Sequence, residues 1–571
     1  MKSLLIYLKK YTLQSILAPL FKLLEASFEL IVPLVIAAII DMGIKTGDKS
    51  YILSRCGVLV VLALVGMTAA ISAQYFAAKA AIGFGKDLRH SLFEKIQSLS
   101  FNEIDKISTS TLITRMTNDV NQLQNGVNLV LRLFLRSPFI VIGAMVMAFF
   151  IDVKCAIIFL AAIILLSVVV FGIMAYTIPR YKNVQSAVDN ITLLTRENLS
   201  GARVIRAFTN EENETQSFNK KNNFLLSLQK GVGRISALMN PVTYVIINIA
   251  IVVLVYSGAV QVENNILSQG QVVALYNYMS QILVELIKLA NLIVTVTKAL
   301  ASADRISNVF EQENTLESVD DTSESSEYIS FNDVSLKYKN ASNYSLENIS
   351  FSANKGDVIG VIGGTGSGKS SLVSLIAHFY DATKGIVYVD NINVKSQNTE
   401  NLRAKIGFVH QKAVLFKGTV RDNMKWGKKD ATDEEIITAL TQAQIYDTIE
   451  SKGGLDYFIE QNGSNLSGGQ KQRLAVARAL VRKPEILVLD DSSSALDFAT
   501  EARLREAIYN LDYPVTVFIV SQRASSVMSA DNILVLDDGK CVGQGTHSQL
   551  LQNCNVYQEI YSSQFGKEEC V

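Results

Sequence analysis

Gly363-Gly-Thr-Gly-Ser-Gly-Lys-Ser370 follows directly on the apolar run Val358-Ile-Gly-Val-Ile362 and leads into residues 371–378, whose apolar spacing is helical. Strand, glycine-rich turn and helix in that order make a phosphate-binding loop. The glycines let successive backbone N–H groups curve around an anion, and the helix amino terminus adds its dipole. Gly363, Gly364, Thr365, Gly366, Ser367 and Gly368 form the cradle, with Ser371 at the start of the helix. Lys369 reaches the terminal phosphates and Ser370 offers its hydroxyl to Mg²⁺.

Working outward, Ile486-Leu-Val-Leu-Asp490 is an apolar strand ending in a carboxylate, the group needed to organise Mg²⁺ from a strand's carboxyl end. Between the two lies Leu466-Ser-Gly-Gly-Gln-Lys-Gln-Arg473, a second glycine-rich turn opening a helix. Its Ser467 can donate to a phosphate, and in isolation it also reads as an ordinary helix cap. Short β-branched runs alternating with helical patterns make residues 328–571 an α/β domain.

The remaining residues have a different solvent. The chain has 571 residues, too many for one ordinary domain, and its formal charge of zero comes from 53 bases and 53 acids. Net neutrality counts against a nucleic-acid partner, but the zero is a cancellation: residues 1–305 carry 28 bases and 18 acids, residues 306–571 carry 25 and 35. Only 19% of residues are charged, which leans toward membrane-buried segments. Cys56, Cys155, Cys541, Cys554 and Cys570 are scattered without metal spacing, against a zinc site or a disulfide framework.

Six apolar stretches, at 12–40, 56–82, 129–151, 155–176, 241–261 and 271–297, are each long enough to cross about 30 Å of hydrocarbon as a helix. The long loops 83–128 and 177–240 are rich in Lys and Arg, and Lys2, Lys9 and Lys10 add to the amino terminus. The positive-inside rule places them, and both termini, in the cytoplasm. Helical periodicity in these loops predicts that the membrane helices run on as long hairpins with a short transverse helix at each tip. The first stretch is broken by Glu25 and Glu29 and is too long for a cleavable signal, so it is expected to remain as a span. Residues 306–327 read as a linker, acidic and free of bases from 311 onward.

With these motifs in hand, the chain resembles the ATP-binding cassette (ABC) family, in its exporter half-transporter form. It looks most like the degenerate-site subunit of bacterial heterodimeric multidrug exporters. The resemblance rests on the 466–470 signature, its place between the phosphate loop and Asp490, and the six spans ahead of one nucleotide domain. It implies a six-helix membrane domain followed by an α/β nucleotide domain, and ATP and Mg²⁺ as ligands. It also implies a second half-transporter, with ATP held between the phosphate loop of one chain and the signature (Ser467, Gly468, Gly469, Gln470) of the other. By position, Tyr338 would stack on adenine and Gln411 would touch Mg²⁺, as Ser370 and Asp490 do. Ser494, Ala495, Leu496 and Asp497 would form the loop that crosses to the partner.

Two positions depart from the family pattern, both at the hydrolytic step. Asp491 stands where the family has a glutamate that polarises water, and Gln522 where it has a histidine that contacts the γ-phosphate. Aspartate is one methylene shorter, and a displacement of about 1 Å can cost roughly a hundredfold in rate. Glutamine hydrogen-bonds but carries neither proton nor charge. Together they predict a site that binds ATP and cleaves it weakly, in a heterodimer with a non-identical partner whose competent site this chain's signature completes. A slow homodimeric exporter of lipid or peptide, a non-pumping nucleotide-gated regulatory subunit, and an importer on the same fold are the alternatives.

Charges inside spans are functional candidates. Glu25 and Glu29 lie four apart, on one face of the first span; Lys79, Glu285 and Lys288 are further candidates. An acidic cavity would favour cationic amphipathic substrates such as drugs; pairing with one another or with Arg132 and Arg136 would make the charges structural. Pro33 and Pro138 are candidate kinks. The expected location is the bacterial cytoplasmic membrane.

Overall fold

The computed structural model describes residues 4–313, 316, 325–339, 341–492 and 495–565. It divides into two compact units, residues 1–97 with 109–312, and residues 98–108 with 313–571.

The first unit is helical. Six stretches are long and apolar enough to cross a membrane: Leu4–Ile44, Lys49–Ser98, Thr109–Ile151, Val153–Ser200, Glu211–Glu263 and Gln269–Phe310. The helix Lys49–Ser98 has 50 residues, about 75 Å at 1.5 Å per residue, more than twice the hydrocarbon thickness. The apolar stretches in the sequence therefore mark only the lipid-facing parts of longer rods. One stripe of this helix buries Ala69, Ala73, Ala77, Ala81, Phe84, Leu88 and Leu92, and the small residues let neighbouring helices approach closely. Phe21 of the first helix stacks on Phe76 here, ring centroids 5.9 Å apart. The sixth helix, Gln269–Phe310, is the most buried and opens with a reciprocal capping box between Ser268 and Gln271. Its Tyr278 hydroxyl donates to the Leu30 carbonyl at 2.6 Å.

Two expectations are adjusted by this geometry. The sixth helix continues past Arg305 to Phe310, so the first residues assigned to the linker are helical; 314–315 and 317–324 lie outside the described residues. Pro138 sits in the first turn of the helix Arg136–Ile151, where its missing N–H breaks no intrahelical bond, so it starts that segment without kinking it. Pro33 is buried within the helix Thr12–Ala38, and Pro179, which the sequence reading passed over, lies inside Val153–Ser200. The expected short helices at the loop tips are Phe101–Ile107 and Ala202–Ala207.

The second unit carries two sheets. The larger runs in the order Lys540–Gly545, Asn532–Asp537, Val358–Gly363, Thr516–Ser521, Ile486–Asp490, Ile406–Val409. It is parallel except for the Lys540–Gly545 edge. The central strands are buried on both faces, which is why they read as unbroken apolar runs. A smaller antiparallel sheet of Ile329–Leu336, Leu346–Ala353, Lys384–Val389 and Ile392–Asn393 covers one side; Phe331 and Phe351 stack across it at 4.6 Å.

Candidate functional site

In a parallel sheet the strands' carboxyl ends share one edge, and ligands bind there. Val358–Gly363, Thr516–Ser521 and Ile486–Asp490 are adjacent in the sheet, with Ile519 opposite both Gly360 and Leu489. Their ends bring the phosphate loop, Gln522 and the Asp490–Asp491 pair together although more than a hundred residues separate each from the loop. A cavity of about 220 Å³ lies at this edge, lined by Thr365, Gly366, Gly368, Lys369, Ser370, Ser371, Gln411, Asp490, Asp491 and Gln522, with Ser345 and Val520.

The loop's glycines are required by geometry. Gly366 and Gly368 have φ of +83° and +96°, in the left-handed region, and a Cβ on Gly368 would lie 2.5 Å from the Ser345 carbonyl oxygen. Lys369 is buried and donates through Nζ to the carbonyls of Gly363 at 2.9 Å and Gly364 at 2.6 Å. Burial pulls its pKa below the ordinary lysine value, and Asp491 and Asp490 oppose that shift. Ser370 Oγ donates to Asp490 Oδ1 at 2.8 Å. Burial pushes the Asp490 carboxyl above the usual carboxylate range, with the neighbouring Asp491 adding to the shift and the Ser370 bond opposing it. The hydroxyl of Ser370, the carboxylate of Asp490 and the amide oxygen of Gln411 are hard oxygen donors, a set that fits Mg²⁺.

The two departures from the family pattern sit on this edge. Gln411 Nε2 donates to Asp491 Oδ2 at 2.9 Å, and Thr365 Oγ1 donates to Gln522 Oε1 at 3.4 Å. The Gln522 carbonyl accepts from Gln564 Nε2 at 2.9 Å, so the carboxyl-terminal helix Asn555–Phe565 holds this loop.

Tyr338 does not line the phosphate cavity. Its hydroxyl lies 3.0 Å from Ser371 Oγ, and its ring meets Tyr380 edge-on at 5.0 Å. Tyr380 in turn donates to Asp105 Oδ2 at 2.7 Å, and Phe101 packs on Phe379 at 4.7 Å. The loop-tip segment 98–108 thus belongs to the compact unit of the nucleotide domain. Phe101, Asp105, Phe379 and Tyr380 carry no motif, and the sequence reading missed them.

The signature lies elsewhere in the domain. Ser467 caps the helix Gly468–Leu480, accepting from the Gln470 backbone N–H, while the Gln470 side chain accepts from the Ser467 backbone N–H at 3.1 Å. None of Ser467, Gly468, Gly469 and Gln470 lines the phosphate cavity. A Cβ on Gly469 would lie 3.1 Å from the Ala495 carbonyl oxygen and 3.2 Å from Leu496 Cδ2, so the expected crossing loop packs on the signature of its own chain. Asp497 caps the next helix, Phe498–Tyr509, accepting from Thr500 N at 2.8 Å. Ser494 lies outside the described residues.

In the membrane unit the charges are paired, the alternative the sequence left open beside an acidic cavity, and Glu29, Glu285 and Lys288 line one cavity there. Arg136 bonds both oxygens of Glu29 at 2.9 and 2.8 Å and Glu285 at 2.6 Å, and lies 3.9 Å from Glu25. Lys288 bonds Glu285 at 2.8 Å, Ser137 donates to Glu285 at 2.8 Å, and Lys22 bonds Glu25 at 2.5 Å. Three acids meet three bases, so the cluster is neutral. Lys79 lies apart, 5.8 Å from the Tyr75 ring.

Comparison with known proteins agrees with this architecture. A family model for the ABC transporter transmembrane region matches residues 15–286, and one for the ABC transporter matches residues 346–494. The chain is 38% identical over 570 residues to the uncharacterized ABC transporter ATP-binding protein YfiB of Bacillus subtilis (strain 168), covering 100% of this chain and 99% of that protein. It is 29% identical over 577 residues to ATP-dependent lipid A-core flippase 1 of Colwellia psychrerythraea, covering 99% and 96%. Among solved structures, a bacterial Atm1-family ABC exporter with ATP bound matches with a TM-score of 0.79 over 98% of this chain and 99% of that one, at 22% identity, a likeness of fold.

Proposed function

We propose, for a chain that belongs to the ABC transporter family and forms half of an ATP-hydrolysing exporter, that it works as the degenerate-site subunit of a heterodimer. The observation that carries this is the pair Asp491 and Gln522 on the edge that also holds an intact phosphate loop, Lys369, Ser370 and Asp490. Gly363–Ser371 and Gln411 would hold ATP. Ser370, Asp490 and Gln411 would hold Mg²⁺, which neutralises phosphate charge when bound. Cleavage further needs a group that positions water. The Asp491 carboxylate is one methylene short of that task and is already bonded to Gln411. Gln522 can hydrogen-bond a γ-phosphate but cannot exchange a proton with it.

Since ABC exporters act as dimers, the signature has its use in trans. Ser467 to Gln470, remote from this chain's own cavity, complete the competent site of a non-identical partner. ATP closes the paired nucleotide domains, the tip helices pass that closure to the membrane helices, and the cavity turns outward. Hydrolysis at the partner's site resets the cycle, while ATP at this chain's own site is a long-lived clamp that biases the equilibrium. The cargo is a small amphipathic molecule; a relative named as a lipid A-core flippase supports its amphipathic character. The setting is the bacterial cytoplasmic membrane, with both termini inside.

The test compares ATP turnover by the purified chain alone with turnover by the chain co-expressed with the half-transporter encoded beside it. The chain alone is expected to bind Mg²⁺ and ATP yet turn over about a hundredfold more slowly than the pair. Full turnover by the chain alone overturns the proposal.

A further inference from the structure

The neutral charge cluster in the membrane unit has an unusual order. Lys288, Glu285, Arg136 and Glu29 form a row of alternating sign. The inner two are buried, with 4% of the Glu285 side chain and 6% of Arg136 exposed. The outer two are open, Glu29 at 40% and Lys288 at 41%. All four line one cavity of about 430 Å³, with Gln281, Asn277 and the apolar Val32, Pro33 and Ile36 among its other walls.

Taking a charge out of water is costly unless its hydrogen bonds are completed, so the two ends of the row stay open to the cavity. Here the row stops at the cavity with unused capacity. Lys288 has three donors, and Glu285 takes one of them. Both Glu29 oxygens accept from a single Arg136 nitrogen.

We infer that this cavity binds a zwitterionic headgroup, its oxyanion taken by Lys288 and its ammonium by Glu29. The match is to both signs at once: a lone cation leaves Lys288 unanswered, and a lone anion leaves Glu29 unanswered. Because the open Glu29 carboxylate is a hydrogen-bond acceptor, the ammonium that answers it best carries N–H. Phosphoethanolamine therefore fits and phosphocholine does not. Val32, Pro33 and Ile36 supply an apolar wall for an attached tail. The inference rests on the exporter reading above and narrows its cargo.

The test is binding of tail-labelled lysophospholipids to the full chain, with the half-transporter it copurifies with, in maltoside micelles, read by fluorescence anisotropy. Lysophosphatidylethanolamine is expected to bind about tenfold tighter than lysophosphatidylcholine or lysophosphatidylglycerol of the same tail. Glu29→Gln should abolish that preference, whereas Lys288→Met should weaken binding of all three lipids, which share the phosphate, by a similar factor. Lys288→Met is the safer variant, since Glu285 keeps Arg136 and Ser137. Competition by free O-phosphoethanolamine at concentrations matching its lysolipid marks a soluble zwitterion as the ligand; competition only by the lysolipid marks a lipid. Equal binding of the three headgroups, a preference that survives Glu29→Gln, or binding that Lys288→Met leaves unchanged overturns the inference. Mg²⁺ and ATP binding, followed through Trp426, the chain's one tryptophan, tests the exporter reading separately.

Discussion

Gln411 holds Asp491 by a bond of 2.9 Å from Nε2 to Oδ2, joining the end of the strand Ile406–Val409 to the end of Ile486–Asp490. The carboxylate that occupies the water-polarising position is thereby committed to a neighbour before any nucleotide arrives. A longer side chain on the same backbone would reach further over the phosphate loop.

Restoring reach and proton exchange should therefore restore chemistry. Asp491→Glu combined with Gln522→His is expected to raise single-turnover ATP cleavage at this chain's own site by about 10- to 100-fold, with ATP affinity unchanged. The measurement is phosphate release from the complex when the partner's phosphate-loop lysine is replaced. An unchanged rate would show that Asp491 and Gln522 are not what limits this site.

Ser467 has two separable roles, and two substitutions divide them. Its hydroxyl caps the helix Gly468–Leu480, so Ser467→Ala is expected to cost about 1 kcal/mol of stability, whereas Asp caps as well as Ser. Neither replacement can donate to a phosphate, and Asp would repel it. Both variants should lower turnover of the heterodimer at least tenfold while leaving ATP affinity at this chain's own cavity intact, and only Ser467→Ala should lower Tm. Full turnover by Ser467→Asp would reduce the signature serine to a cap.

Much of this was legible in the sequence because its signals are local. The phosphate loop needs a strand, glycines where φ turns positive and the start of a helix, all between residues 358 and 371, and Gly366 and Gly368 meet that demand. The six spans announce themselves by composition alone. What the sequence hid are contacts set by three-dimensional register. The Asp105 to Tyr380 bond joins residues 275 apart, and the two long strands of the smaller antiparallel sheet, Ile329–Leu336 and Leu346–Ala353, mix polar residues among their apolar ones. The sign of the membrane cavity was hidden for the same reason: Glu25 and Glu29 look like an acidic face until Arg136, 107 residues beyond Glu29, folds between them and Glu285.

Alkaline pH should test the packing of the nucleotide domain. Burial raises the phenols of Tyr513 and Tyr557 to about 12, from a usual value near 10. A folded value above the unfolded one means that their stabilisation is complete below pH ~10 and is lost as pH rises through about 12. Tyrosinate absorbance should show these two ionising late, together with loss of the folded signal, and Tyr557→Phe should remove one late step. The phenol of Tyr557 is bonded to His547 Nδ1 at 2.7 Å, so the same variant also tests that contact. Ionisation of all tyrosines near pH 10 without unfolding would show these side chains to be less enclosed than the structure places them.

Asp119 is the residue whose loss should cost the membrane unit most. It is 1% exposed and accepts from Arg115 Nη1 at 2.8 Å, Ser302 Oγ at 3.0 Å and Arg305 Nε at 3.1 Å. It ties the stretch before the third span to the last turns of the sixth helix, so its removal leaves two guanidinium groups without their common acceptor. Breaking a fully buried pair costs about 3–5 kcal/mol, and because Arg305 is partly exposed the expectation for Asp119→Ala is nearer 2–4 kcal/mol. Asp119→Asn keeps an acceptor oxygen and should lose less. Thermal unfolding of the purified chain in micelles reads both, and an Asp119→Ala variant as stable as the parent would show that this cluster does not hold the two helices together.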